Sequence, residues 1–199
     1  MNDFTHLHVH SEYSIFDGVS RIKDLVQTAK SFGMNAIAVT DHGNMYGAID
    51  LYTECISQGI KPIMGSEMYV AIKDHKIKDQ TERSPYHMTI LAKNNIGYSN
   101  LVKLLTIANT EGNYYRPRID KELLIKYKEG LIILSGCPSG EIPRLITNEG
   151  YDQAKSMAIW YSQNFENYYL EIMRHENVDN LTEINQSLIK ISRETGIPL

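Results

Sequence analysis

The densest chemistry in this sequence lies at His6-Leu7-His8-Val9-His10. In an extended strand alternate residues share a face, so the three imidazoles point one way and Leu7 and Val9 the other. Two imidazoles two residues apart at a strand end can hold one metal ion together. Four further segments carry the same kinds of side chain. Thr40-Asp41-His42-Gly43 follows the apolar run 36–39, and Gly65-Ser66-Glu67 closes the run 62–64. Tyr86-His87-Met88 enters the run 88–92, and Leu134-Ser135-Gly136-Cys137 ends the run 131–134. Taken singly, each has a plainer reading: a solvated histidine or glutamate, an aspartate capping a helix, a thiol acting as a small buried hydrophobe. Together they put nitrogen, oxygen and sulfur ligands at the ends of strands that parallel packing would gather. That donor set suits zinc, or zinc mixed with manganese or iron. It exceeds what one ion can take, which implies two to three divalent ions. Clustered ions favour phosphoester hydrolysis, because one can activate water while another stabilises the leaving oxygen.

The elements that must position these groups alternate. Apolar runs at 7–9, 36–39, 62–64, 88–92, 131–134 and 168–172 are separated by helical patterns near 20–32, 46–58, 97–109, 139–147, 151–164 and 178–195. Strands alternating with helices predict an α/β fold of parallel units, as an open doubly wound sheet or a closed barrel. In both, chemistry collects at the C-terminal ends of the strands. Two stretches break the alternation. Residues 73–85 have no apolar period and read as a mobile surface loop. Residues 110–121 contain Tyr114-Tyr115-Arg116-Pro117-Arg118. Tyrosines that stack bases beside arginines that contact phosphates suit single-stranded DNA; a solvated loop, or one packed on another part of the protein, is the alternative. The last helical pattern places Leu181, Ile184, Leu188 and Ile191 on one face. Gly196 stops it, and 197–199 read as the opening of a buried strand, so the chain is expected to be cut within its last strand.

The 199 residues are 42% hydrophobic and 22% charged, within the globular range and enough for one domain with a real core. A formal net charge of -4 neither marks nor excludes a nucleic-acid partner. Two cysteines, Cys55 and Cys137, are too few and too far apart for a disulfide scaffold. The opening Met-Asn-Asp-Phe has no basic or apolar leader, and no run approaches the ~18 apolar residues of a spanning helix. A soluble, cytoplasmic protein with no membrane partner is expected.

The segment His8-Val9-His10-Ser11-Glu12-Tyr13-Ser14, followed by Phe16-Asp17-Gly18, resembles the first motif of the PHP (polymerase and histidinol phosphatase) family. It is most similar to the form that opens bacterial replicative DNA polymerase alpha subunits. Residues 40–47, 60–67, 92–101, 115–120 and 130–137 extend that resemblance over essentially the whole chain. The resemblance implies a distorted seven-stranded β/α barrel and a site of up to three metals held by nine ligands. Carried over by motif, His8 and His10 take the first ligand positions and Asp17 the place where phosphatase members often have histidine. His42, the bridging Glu67, His87 and Cys137 follow, with Asp41 orienting His42. His8, His10 and Glu67 would act in catalysis through the bound metals. His6, His75 and His175 match no ligand position and are expected to be surface histidines.

The family's last motif, Asp-x-His, is expected beyond Leu199, so this chain alone is expected to be inactive as a nuclease. The polymerase carboxylates belong to a palm domain that this stretch does not contain. The implied activity is 3′–5′ exonuclease proofreading on a single-stranded DNA 3′ end. The implied partners are the rest of the polymerase chain, a separate exonuclease subunit and other replisome subunits. Two other readings stay open: a platform without catalysis, and a free-standing phosphatase of the histidinol-phosphate type.

Overall fold

The computed structural model describes residues 4–176 and 178–199; the acidic opening of the sequence lies at 1–3, outside them. The run Ala36–Val39 is buried at every residue and forms β1, as a strand covered on both faces must be. It pairs in parallel with the first half of β2 (Lys61–Val70), Ala36 opposite Lys61 and Val39 opposite Met64. Helices α1 (Ile22–Ser31) and α2 (Ala48–Gln58) lie on this pair. Their buried stripes, Ile22, Val26 and Ala29 with Leu51 and Cys55, form a small core with Ile37 and Val39. Cys55 is fully buried there and acts as a small apolar side chain.

The parallel expectation fails at β3 (Tyr86–Ala92). It runs antiparallel to β2, with Gly65 opposite Leu91, and antiparallel to β6 (Leu131–Leu134), with Thr89 opposite Leu134. The cause is the connection: residues 71–85 contain no α-helix to carry the chain across the sheet, and antiparallel neighbours need none. β7 (Tyr168–Tyr169) returns to a parallel pairing with β6. A hairpin of β4 (Asn113–Tyr114) and β5 (Arg116–Ile119) joins the other edge, where β5 runs parallel to the end of β2. The order among the described residues is β4-β5-β2-β3-β6-β7, with β1 beside β2, a seven-stranded sheet in a distorted barrel-like α/β fold.

The rest of the sheet is covered by α3 (Asn95–Thr110), α5 (Glu141–Asn148), α6 (Tyr151–Asn164) and α7 (Leu181–Thr195), on the face that α1 and α2 also cover. Their fully buried Leu101, Leu104, Ile142 and Ile191 enter the main core, each contributing about 1.5–3 kcal/mol. A short helix, α4 (Lys121–Lys126), was not anticipated; Asp120 caps it by accepting from the Leu123 N–H at 2.9 Å.

Two expected strands are shorter than their apolar runs. Residues 7–9 lie extended along β1, with Val9 O accepting from the Thr40 N–H at 2.8 Å and His6 O from the Ala38 N–H at 2.9 Å, but form no ladder. The run 168–172 pairs only at its first two residues; Leu170 N–H then donates to Pro198 O at 2.8 Å, which lays residue 198 alongside it.

The stretch 73–85 is a pinned turn, not a mobile loop. Its Glu82 is fully buried and accepts from the N–H groups of Ile72 (2.9 Å) and Lys73 (2.8 Å). His75 is buried too, against Asp120, which corrects its expected place at the surface. No helix among the described residues is long and apolar enough to cross a membrane.

Candidate metal centre

Glu67 is the hub. It leaves β2 only 1% exposed, and its two carboxylate oxygens face side chains from four other segments. Oε2 lies 3.0 Å from His10 Nε2 and 2.7 Å from His42 Nδ1. Oε1 lies 2.9 Å from His87 Nδ1, 3.3 Å from Cys137 Sγ and 3.5 Å from His8 Nε2. Asp17 closes the outer side, its Oδ2 2.8 Å from His42 Nε2 and 3.6 Å from His10 Nδ1. All seven side chains singled out from the sequence therefore meet. Three overlapping triads, His8/His10/Glu67, His10/Asp17/His42 and His42/Glu67/His87, each bring their ligand atoms within 4.8 Å of one another.

The backbone explains the convergence. β1 ends opposite Met64 while β2 runs on, so the chain leaving β1 makes one further parallel bridge that sets His42 beside Glu67. His87 begins its strand rather than ending it, and joins the group because β3 runs the other way. Cys137 arrives on a tight turn: Gly136 has φ +84°, and a Cβ there would meet His87 O at 2.5 Å. Only glycine lets that turn lie against β3. Asp41 does not reach the His42 ring. It is buried, and accepts from Ser11 N (2.7 Å), Ser11 Oγ (2.7 Å) and Ser14 Oγ (2.7 Å). Ser14 Oγ in turn accepts from the His42 N–H at 3.1 Å. Asp41 thus fixes the loop that carries Asp17, and ring contact with His42 falls to Asp17 and Glu67.

Burial alone would push the Glu67 carboxyl up, but contacts from His10, His42, His8 and His87 outweigh it and hold it well below the usual carboxylate range. Burial likewise works to lower His8, yet Glu171 and Glu67 raise it to about 10. His42 is raised by Glu67 and Asp17 against its own desolvation. Burial, with the negative Glu67 beside it, pushes the Cys137 thiol up to about 12. Three buried atoms, His10 Nε2, His42 Nδ1 and Glu67 Oε2, are close yet make no aligned hydrogen bond. Orphaned buried polar atoms of ligand type mark a place where an ion completes the bonding. Donors and charge fit divalent metal ions, beside which the thiol would ionise.

One residue of the centre was missed in the sequence. Glu171, just after β7, lies 2.6 Å from His8 Nδ1 and accepts from Thr89 Oγ1 at 3.0 Å. A carboxylate on the far nitrogen of a ligand histidine fixes its ring and directs the other nitrogen inward. The signal was available, since Glu171 sits in the apolar run 168–172 as the other candidates sit at theirs. Glu171→Gln is expected to weaken divalent-ion affinity roughly 10–100-fold. An unchanged zinc titration by calorimetry would reduce Glu171 to a fold residue.

The basic aromatic stretch divides. Arg116 and Tyr115 are exposed and Tyr114 is half-buried at the hairpin, whereas Arg118 is fully buried. Arg118 donates to the carbonyls of Gly112 (3.1 Å), His75 (2.8 Å) and Ile77 (2.9 Å), so it cannot read DNA phosphates as expected. His6 and His175 are exposed and stand outside the triads.

The family model for the PHP domain matches residues 6–175, which includes every side chain of the hub. The chain belongs to the PHP domain family. The DNA polymerase III subunit alpha of Borreliella burgdorferi is 48% identical over 98% of this PHP chain, and that of Helicobacter pylori 45% identical over 98%. The chain spans 17% of the length of each of these relatives. A candidate metal-dependent phosphoesterase from Bifidobacterium adolescentis shares the fold, with a TM-score of 0.59 and 14% identity over 99% of this chain and 85% of its own. The fold implied by the sequence motifs is thus the fold observed.

Proposed function

We infer that this PHP domain is the N-terminal part of a cytoplasmic DNA polymerase III alpha subunit and that its metal centre hydrolyses phosphodiesters at a single-stranded DNA 3′ end. The observation that carries this is the convergence of five ligand-type side chains on the buried Glu67 carboxylate, with Asp17 joined through His10 and His42 and orphaned atoms among them. His8 and His10 with Glu67, Asp17 with His10 and His42, and Glu67 with His87 and Cys137 would hold two to three divalent transition metals, zinc first and manganese or iron as alternatives. When bound, such ions polarise a phosphoryl oxygen and lower the pKa of water.

The chain's own residues supply the rest. Glu67, touching all three groups, keeps the ligands in register. Asp41 and Ser14 hold the loop of Asp17 against His42. Glu171 holds His8 by its Nδ1, leaving Nε2 facing the pocket. On this reading the partners are the remainder of the polymerase chain, a separate proofreading exonuclease subunit and other replisome subunits. The test is release of label from a 3′-labelled single strand by the polymerase subunit carrying this sequence, loaded with zinc or manganese. Metal-dependent release that His10→Ala lowers at least ~100-fold is expected. No release, or release indifferent to His10→Ala, overturns the reading.

A further inference from the structure

A column of flat groups rises from the metal centre to the surface. The Tyr69 ring is buried and lies parallel to His42, with centroids 5.8 Å apart, and edge-on to His87 at 5.0 Å. The Arg116 guanidinium caps it, 5.7 Å from the Tyr69 centroid, and Phe16 lies on Arg116 at 5.3 Å. Phe16 is 88% exposed and directly precedes Asp17, which touches His42. The two outer members come from segments a hundred residues apart, and the hairpin that carries Arg116 is packed against the turn after His42. Gly43 packs so closely under the hairpin that a Cβ would meet Pro117 Cγ at 2.7 Å.

The top of this column has unused chemistry. Among the described residues no hydrogen bond or ion pair engages the Arg116 guanidinium. The Tyr69 and Phe16 rings flank it and leave its forked N–H donors unengaged, the group that grips phosphate bidentately. One face of Phe16 meets Arg116, and its exposure leaves the other open to solvent. A bare aromatic face beside a free guanidinium is a stacking platform for a base with a phosphate clamp next to it. A phosphate ester without a neighbouring nucleotide would use neither.

We propose that Phe16 and Arg116 form a nucleotide subsite at the mouth of the metal centre, Arg116 holding the phosphate next to the one cleaved and Phe16 stacking that nucleotide's base. The subsite rests on the phosphodiesterase reading and sets its preference: single strands of any sequence over small phosphate esters.

Binding separates the two ideas. A 5′-labelled pentathymidylate is titrated into the 199-residue chain in chelator at low salt and followed by fluorescence anisotropy. Val19→Ala, 91% exposed in the same loop, serves as the control. Phe16→Ala is expected to weaken binding at least ~5-fold while leaving the salt dependence as in the wild type. Arg116→Ala is expected to weaken binding and to flatten the log–log salt slope by about 0.7, the value of one single-strand phosphate. Arg116→Lys, with charge but no fork, should restore the slope and only part of the affinity. No binding by the wild type, equal affinity of Phe16→Ala and Val19→Ala, or an unchanged slope in Arg116→Ala overturns the subsite. Binding that depends on both residues, together with failure of metal-dependent hydrolysis, supports the subsite and sinks the reaction alone.

Discussion

Glu67→Ala is expected to strip the centre of its divalent ions, with an affinity loss above ~100-fold, while Asp17→Ala weakens one position and leaves the others loaded. Loss of a residue that merely orients a ligand costs about 10–100-fold. Glu67 does more, because its two oxygens lie within 3.5 Å of His8, His10, His42, His87 and Cys137. Asp17 meets only His10 and His42, and its side chain is half exposed. Metal content by elemental analysis and zinc affinity by calorimetry give the comparison. The wild-type titration carries a second signature. A metal needs neutral imidazole, and His8 keeps its proton up to about pH 10, with His42 raised as well. Zinc uptake at pH 8 should therefore release protons, and apparent affinity should rise with pH towards 10. In Glu67→Ala the support for those protons is reduced, so release per ion should fall. Full metal content in Glu67→Ala would remove Glu67 from the hub. Asp17→Ala, at an exposed position, guards against reading a simple folding defect as metal loss.

The parts of this centre legible in the sequence were those beside apolar runs. His42 and Cys137 follow strands whose burial the runs announce, Glu67 follows an apolar run inside β2, and His8 and His10 lie on one extended segment. His87 was legible for an incomplete reason: it joins the others only because β3 is reversed, and the absence of a helical pattern between residues 64 and 86 already hinted at that reversal. Hydrophobic periodicity is blind to a polar core. Residues 73–85 show no apolar period because what they bury is Glu82 and His75, so a fixed turn read as a mobile one. Glu171 shares the local signal of the other candidates, a ligand-type side chain in an apolar run, but its partner, His8, lies 163 positions away. Arg116 and Arg118 could not be separated by alternation, since residues two apart share a strand face. Pairing separates them: Arg116 lies opposite Tyr114 in the protruding hairpin, and Arg118 opposite Tyr69 in the main sheet.

That separation carries the second large effect, which falls on stability. Arg118 is fully buried, and besides four carbonyls it reaches Glu82 Oε2 at 3.4 Å, itself fully buried. Its guanidinium thus ties the turn at 75–82 to the start of the hairpin at Gly112. Arg118→Ala leaves the Glu82 carboxylate without its cation and four carbonyls, those of Gly112, His75, Ile77 and Glu82, without these donors. Removing one member of a buried pair costs about 3–5 kcal/mol. At about 2–4 °C per kcal/mol for a chain of this size, the melting temperature should fall by roughly 6–20 °C. Arg118→Lys should recover little, because a point charge on a flexible stem cannot serve four carbonyls and a carboxylate at once. Arg116→Ala, two residues away, should leave the melting temperature within about 2 °C, as exposed substitutions do. Thermal melting by circular dichroism measures all three. If Arg118→Ala melts with the wild type and instead loses oligonucleotide binding with a flatter salt slope, Arg118 faces the nucleic acid and its buried place is wrong. The expected outcome is the reverse: the two arginines divide the work, Arg118 holding the hairpin in the sheet so that Arg116 stands over the pocket.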